Sequence, residues 1–220
     1  NYINMNRPHL IAHRGDTVNF PENTIEAFAS AFEKGADGVE MDVYLHGADQ
    51  IVVVHPWLHD RSKTYPLLSE VIEQFAKKGT LEIELKSFDL RCIEKVAELI
   101  RQYEVTNYEI TSSILPLLSY VKDVLPEAKT GMIFKPYHLE EWMTPAVILD
   151  YLCGYLELTR SNVLHLNVEL YTPELVAELH KRNYILHTHL KSADPEIFNK
   201  VKELGLDQCT FDDIAILKLT

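Results

Sequence analysis

The chain has 220 residues, of which 46% are hydrophobic and 25% charged, an ordinary globular composition with enough length for one sizeable core. Its 33 acidic side chains outnumber 21 basic ones, and the net charge of −12 repels a phosphate backbone, which argues against nucleic acid as a partner. No apolar run is long enough to cross a bilayer, Asn1–Pro8 is too polar for a signal peptide, and Cys92, Cys153 and Cys209 form neither a zinc set nor a CxxC pair. A single cytoplasmic domain spanning 1–220 with free thiols is therefore expected, although Asn1 in first place is also compatible with a cleaved upstream signal.

Apolar runs bounded by turn residues alternate with longer helical stretches. A predicted strand at His9–His13 leads to a helix at Thr24–Lys34. Strands at Gly38–Leu45 and Ile51–His55 come next, then a helix at Leu67–Lys78 and a strand at Leu81–Lys86. Helices at Leu90–Tyr103, Leu115–Val124, Ala146–Leu158, Pro173–Arg182 and Pro195–Leu204 then alternate with strands at Tyr108–Thr111, Lys129–Phe134, Val163–Val168, Tyr184–His189 and Gln208–Phe211. Ser69 with Glu73, Asp89, and Thr172 before Pro173 read as helix starts.

The five residues His46–Gln50 are too few for a crossover helix, so Gly38–Leu45 and Ile51–His55 form a hairpin. Counting that pair as one position leaves eight parallel strands, the number that closes a (β/α)8 TIM barrel. The alternative, an open doubly wound sheet, lacks a GxGxxG or Walker loop here.

In such a barrel the chemistry sits where strands end. Here the ends read His13-Arg14-Gly15, Glu40-Met41-Asp42, His55 and Glu84-Leu85-Lys86. Residues two apart on a strand share a face, so Glu40 pairs with Asp42 and Glu84 with Lys86. Any one of these carboxylates is accounted for by a salt bridge to Arg14 or Lys86. Three together make a hard, oxygen-only set suited to one divalent cation, Mg²⁺ or Ca²⁺. His13 and His55 close strongly apolar runs at the same mouth and are candidates for general base and general acid. His187 and His189 can also reach the interior, as site-lining or structural residues. His59, His138, His165 and His180 read as surface or ordinary packed residues.

Together His13-Arg14-Gly15, Pro21-Glu22-Asn23-Thr24, Gly35 to Val43, His55 after its valine run and Ile83-Glu84-Leu85-Lys86 resemble the glycerophosphodiester phosphodiesterase family. Weaker similarity runs from Gly205-Leu206-Asp207 to Asp212. The resemblance implies a TIM barrel that hydrolyses glycerophosphodiesters to glycerol 3-phosphate and an alcohol. It implies Glu40, Asp42 and Glu84 as metal ligands, His13 and His55 as the acid/base pair, and Arg14 and Lys86 on the phosphate. His187 stands on the substrate side, where the family commonly has Trp-Thr and this chain has His187-Thr188. The nucleophile implied is the glycerol 2-hydroxyl, giving a cyclic phosphate that water opens.

Two further departures bear on the site. The family's His-Asp is His55-Pro56 here, with His59-Asp60 four residues on, and His55 remains the candidate because it ends the strand. The segment Pro56–Thr80 is short where many members insert a cap, so an open mouth is expected. Alternative readings are a lipid-directed phospholipase D-type enzyme of the same superfamily and a non-catalytic binding barrel.

Overall fold

The computed structural model describes residues 7–135 and 139–220; His138 lies outside them. Strands are β1 (His9–His13), β2 (Gly38–His46), β3 (Gln50–Val53), β4 (Thr80–Leu85), β5 (Tyr108–Ser112), β6 (Lys129–Ile133), β7 (Val163–His165), β8 (Ile185–Leu190) and β9 (Gln208–Phe211). Helices are α1 (Ile25–Glu33), α2 (Leu68–Phe75), α3 (Leu90–Gln102), α4 (Leu115–Val124), α5 (Pro145–Thr159), α6 (Pro173–Lys181) and α7 (Pro195–Leu204).

Parallel pairing runs β1-β9-β8-β7-β6-β5-β4-β2, and β1 also pairs with β2, which closes the barrel. An open doubly wound sheet is thereby excluded. The strand β3 lies antiparallel on β2, with Val43 opposite Val53 and His46 opposite Gln50, the hairpin expected from the short link.

Each strand alternates between two environments. Val39, Met41 and Val43 on β2 and Leu81, Ile83 and Leu85 on β4 belong to the apolar core shared with the helices. Their neighbours Glu40, Asp42, Glu82 and Glu84 are also buried, and by alternation they face the barrel axis. Phe75 of α2 packs edge-on to Phe28 and stacks on Phe32 of α1, with centroids 6.1 and 5.7 Å apart. Truncating Phe75 would cost about 3–5 kcal/mol.

Local side-chain bonds decide several boundaries. Asp89 and Thr172 cap α3 and α6 through Arg91 N–H and Leu175 N–H, as expected. Ser69 caps nothing and lies inside α2, whose entry is held by Leu67 N–H donating to Glu70 at 2.9 Å. The β3 strand stops at Val53, and His55 instead caps a short 3-10 turn at Pro56–Leu58. Likewise β7 ends at His165, because Asn167 accepts from Glu169 N–H and turns the chain into a 3-10 turn at Val168–Leu170. The three cysteines are buried and free. Among the described residues no helix is long and apolar enough to cross a membrane.

Candidate active site

Register sets the level of each acidic side chain: Glu40 lies opposite His13 and Glu82, and Asp42 opposite Glu84. The strand ends carrying His13, Glu40, Asp42 and Glu84 thus meet at one mouth of the barrel. Arg14 follows β1 in a left-handed conformation, φ 57°, and Gly15 follows at φ 86°, where an added Cβ would collide with Ala27 of α1. That turn folds Arg14 back over β2. Its backbone N–H donates to Glu40 Oε2 at 3.1 Å, and its guanidinium grips both oxygens of Glu22 at 3.0 and 3.1 Å.

Asp42 is fully buried and is the hub. Arg14 Nε lies 2.9 Å from Oδ2, and Lys86 Nζ lies 3.2 Å from Oδ1 and 2.5 Å from Glu84 Oε1. Asn23 donates to Asp42 Oδ2 at 2.9 Å and accepts from its backbone N–H at 3.2 Å. Asn23 adopts φ 58°, a left-handed conformation that Asn tolerates better than most residues and that these two bonds secure.

Four carboxylates, Glu22, Glu40, Asp42 and Glu84, face two fixed cations, Arg14 and Lys86, leaving a formal excess of two negative charges. Burial pushes the Glu40 carboxyl well above its ordinary range, and Asp42 and Glu84 add to the shift. Its Oε1 is buried with no hydrogen-bond partner among the described residues. Burial opposes the charge on Lys86, but Glu84 and Asp42 outweigh it and hold the amine above its usual value. An oxygen-only set with an orphaned oxygen and two surplus charges fits one hard divalent cation at Glu40, Asp42 and Glu84.

His13 donates from Nδ1 to Asp212 Oδ1 at 2.6 Å, leaving Nε2 3.7 Å from Glu40 Oε2. His189 donates from Nε2 to the same Asp212 oxygen at 2.8 Å, and its ring lies 4.6 Å from that of His13. Burial works against the Asp212 charge, yet the two imidazoles outweigh it and hold the carboxyl well below the usual range. Among the described residues His55 makes no ion pair. Partial burial lowers its imidazole, with Asp42 opposing and Arg14 and Lys86 reinforcing, and the neighbouring Val54 N–H donates to the Asp42 carbonyl at 2.9 Å, which sets His55 beside the acidic hub. His59 is occupied elsewhere, sharing a 2.8 Å hydrogen bond with His46.

A cavity of about 250 Å³ opens here, lined among others by His13, Glu40, Glu84, His165, His187 and His189. His187 is 1% exposed and forms part of the cavity floor. Sequence reasoning gave no role to Asn23, Glu22 or Asp212. For Asp212 a signal existed, since it directly follows an apolar strand just as Arg14 does.

Residues 13–64 match the glycerophosphoryl diester phosphodiesterase family. A glycerophosphodiester phosphodiesterase of Caldanaerobacter subterraneus subsp. tengcongensis is 33% identical over 168 residues, covering 60% of this chain and 69% of that protein. Among solved structures, the glycerophosphodiester phosphodiesterase of Thermotoga maritima superposes with a TM-score of 0.78 at 24% identity, covering 99% of this chain and 100% of that one. A phosphodiesterase of Oleispira antarctica, solved in complex with the product sn-glycerol-3-phosphate, gives 0.79 at 21% identity and 96% coverage of each chain.

Proposed function

The chain belongs to the glycerophosphoryl diester phosphodiesterase family and is a phosphodiester hydrolase, and from that premise we propose that it cleaves glycerophosphodiesters to glycerol 3-phosphate and an alcohol. One observation carries the reading: the excess of two negative charges among the mouth carboxylates, beside a histidine anchored by Asp212.

Glu40, Asp42 and Glu84 would hold one Mg²⁺ or Ca²⁺, which when bound supplies charge neutralisation for the phosphate. Arg14 and Lys86 stand at the same hub and provide cations that bind and orient the phosphodiester. His13 is the general base. Asp212 fixes its Nδ1 proton, so Nε2 faces the cavity free to take a proton from the glycerol 2-hydroxyl. The resulting alkoxide attacks phosphorus as the bond to the headgroup oxygen breaks, and His55, the half-exposed imidazole, returns a proton to that leaving oxygen. Water then opens the cyclic phosphate by the reverse proton transfers. Under this reading His187 bounds the floor of the substrate cavity.

With so short a segment after β3, the leaving alcohol stays in contact with water. We expect comparable kcat/KM on glycerophosphocholine, glycerophosphoethanolamine and glycerophosphoglycerol, and loss of activity when the 2-hydroxyl is removed. A preference beyond about 10³-fold for one headgroup, roughly 4 kcal/mol, would contradict the open site.

The lipid-directed reading has one observation in its favour. Phe20, Trp57, Phe88 and Trp142, 37%, 91%, 79% and 65% exposed, all sit on loops that follow strands, on the side of the mouth. Faster turnover of lysophosphatidylcholine than of glycerophosphocholine would select that reading instead.

A further inference from the structure

Below the mouth, β4, β7 and β8 bring Glu82, His165 and His187 together, with ligand atoms within 4.8 Å of one another. The two imidazoles stack, centroids 3.8 Å apart and planes 18° from parallel. Both present Nδ1 to the same carboxylate: His165 lies 3.8 Å from Glu82 Oε1 and His187 3.9 Å from Oε2. Both turn Nε2 outward, His165 to Glu109 Oε1 at 2.9 Å and His187 to Thr210 Oγ1 at 2.5 Å.

Separations of 3.8 and 3.9 Å are too long for hydrogen bonds. Among the described residues Glu82 Oε2 and His187 Nδ1 have no hydrogen-bond partner, although the residues are 2% and 1% exposed. Buried polar atoms left facing each other across a gap are costly, so the gap calls for an occupant. Two donors each roughly 2.0–2.1 Å from a tetrahedral ion stand roughly 3.3–3.4 Å apart, so an ion here would draw the carboxylate and nitrogens together by about 0.5 Å and splay the stacked rings until both Nδ1 lone pairs meet on it.

We propose that Glu82, His165 and His187 form a second metal site, for a zinc-class divalent ion, beneath the oxygen-only site at the mouth. Two imidazole nitrogens and one carboxylate suit Zn²⁺ or Co²⁺, whereas Mg²⁺ and Ca²⁺ favour all-oxygen sets. The outer contacts match what such ligands need, because a metal-bound histidine donates its other N–H to a fixed acceptor. Glu109 fills that role for His165 and is itself held by Lys129 at 2.9 Å and Gln208 at 3.1 Å. At Gly131 a Cβ would collide with both Glu109 and His165, so the glycine makes room for that pair.

Thr210 can serve either tautomer of His187. Its backbone N–H donates to Nε2 at 3.0 Å, which puts the ring proton on Nδ1 when no metal is bound. Metal binding displaces that proton, and Nε2–H then donates to Thr210 Oγ1 at the expense of the amide bond. Burial pushes His187 well below its ordinary value, with His165 and Lys129 reinforcing. The fourth position faces the cavity that all three ligands line together with Glu40 and Glu84.

Cobalt(II) is the probe, because a tetrahedral site of this kind gives intense visible bands and a six-coordinate oxygen site gives weak ones. With Mg²⁺ in large excess to fill the mouth, the full chain should take up one equivalent of Co²⁺ with intense bands that Zn²⁺ abolishes. Glu40→Gln should behave the same, and Glu82→Gln and His187→Phe should weaken uptake by at least about 10-fold. Absence of intense bands in the unmodified protein would overturn the proposal, as would bands that survive Glu82→Gln but vanish in Glu40→Gln. Should Glu82→Gln fail to fold by circular dichroism, the spectra of the unmodified protein and Glu40→Gln decide alone. Failure here leaves the hydrolase reading intact, since no activity is measured.

Discussion

Two layers of charge sit in one barrel, two residues apart on β4, and they are balanced differently. In the inner layer Glu109 is saturated by Lys129, His165 and Gln208, whereas Glu82 Oε2 and His187 Nδ1 have no hydrogen-bond partner among the described residues. In the mouth layer Arg14 and Lys86 fall two charges short of their four carboxylates. Glu109 and its partners are thus a folding device, with fixed partners for a fixed charge. The mouth layer is poised for something that arrives from solution.

The comparison breaks most visibly under matched amide substitutions. Asp42→Asn should lower kcat/KM on glycerophosphocholine by about 10³-fold while the protein stays folded. In the inner layer, Glu109→Gln strands Lys129 and should cost about 3–5 kcal/mol, read as a Tm lower by about 10 °C. Equal loss of stability in both variants would remove the distinction.

Asp212→Asn probes the link between anchoring and catalysis. It should lower kcat by about 10²-fold with KM little changed, because the His13 ring loses its fixed tautomer and not its place beside the substrate. A change confined to KM would contradict the base assignment.

Glu109 and Glu40 also differ in the sign of their pH dependence. Burial opposes the Glu109 charge, but Lys129 and His165 outweigh it and hold the carboxyl at about 2. Its folded value lies below the unfolded one, so this stabilisation is present above roughly pH 4.3 and is lost as pH falls through about 2. Glu40 has the opposite shift. Without a divalent cation, stability should fall as pH rises from the unfolded carboxylate value toward the raised folded one, and added Mg²⁺ should flatten that slope. Denaturant melts across pH with and without Mg²⁺ separate the two; a slope indifferent to Mg²⁺ would contradict the site. The smallest effect is expected at the rim, where Trp57→Ala should change kcat/KM on glycerophosphocholine by less than about 3-fold.

Much of this was legible in the sequence because alternation is a local signal. Strand and helix order, the hairpin, and the inward pairing of Glu40 with Asp42 follow from a period of two and a short link. Boundaries at His55 and Asn167 were not, because single side-chain bonds to Trp57 N–H and Glu169 N–H end those strands. In the sequence Asp212 stands only at the end of a weakly similar stretch, one residue past the predicted strand Gln208–Phe211. It meets His13 across 199 positions, a contact that exists once β9 pairs with β1 and the barrel closes. His165 reads as ordinary on its own, and it becomes informative only when stacked on His187 and aimed at Glu82.

Hydrolysis of glycerophosphocholine after chelation and stepwise return of Mg²⁺ or Ca²⁺ tests the central claim most directly. We expect no release of glycerol 3-phosphate in chelator, saturable recovery with the ion, and recovery shifted to higher concentration or abolished in Glu40→Gln. Unchanged turnover in excess chelator would show that the unmatched charge at the mouth does not hold a catalytic cation.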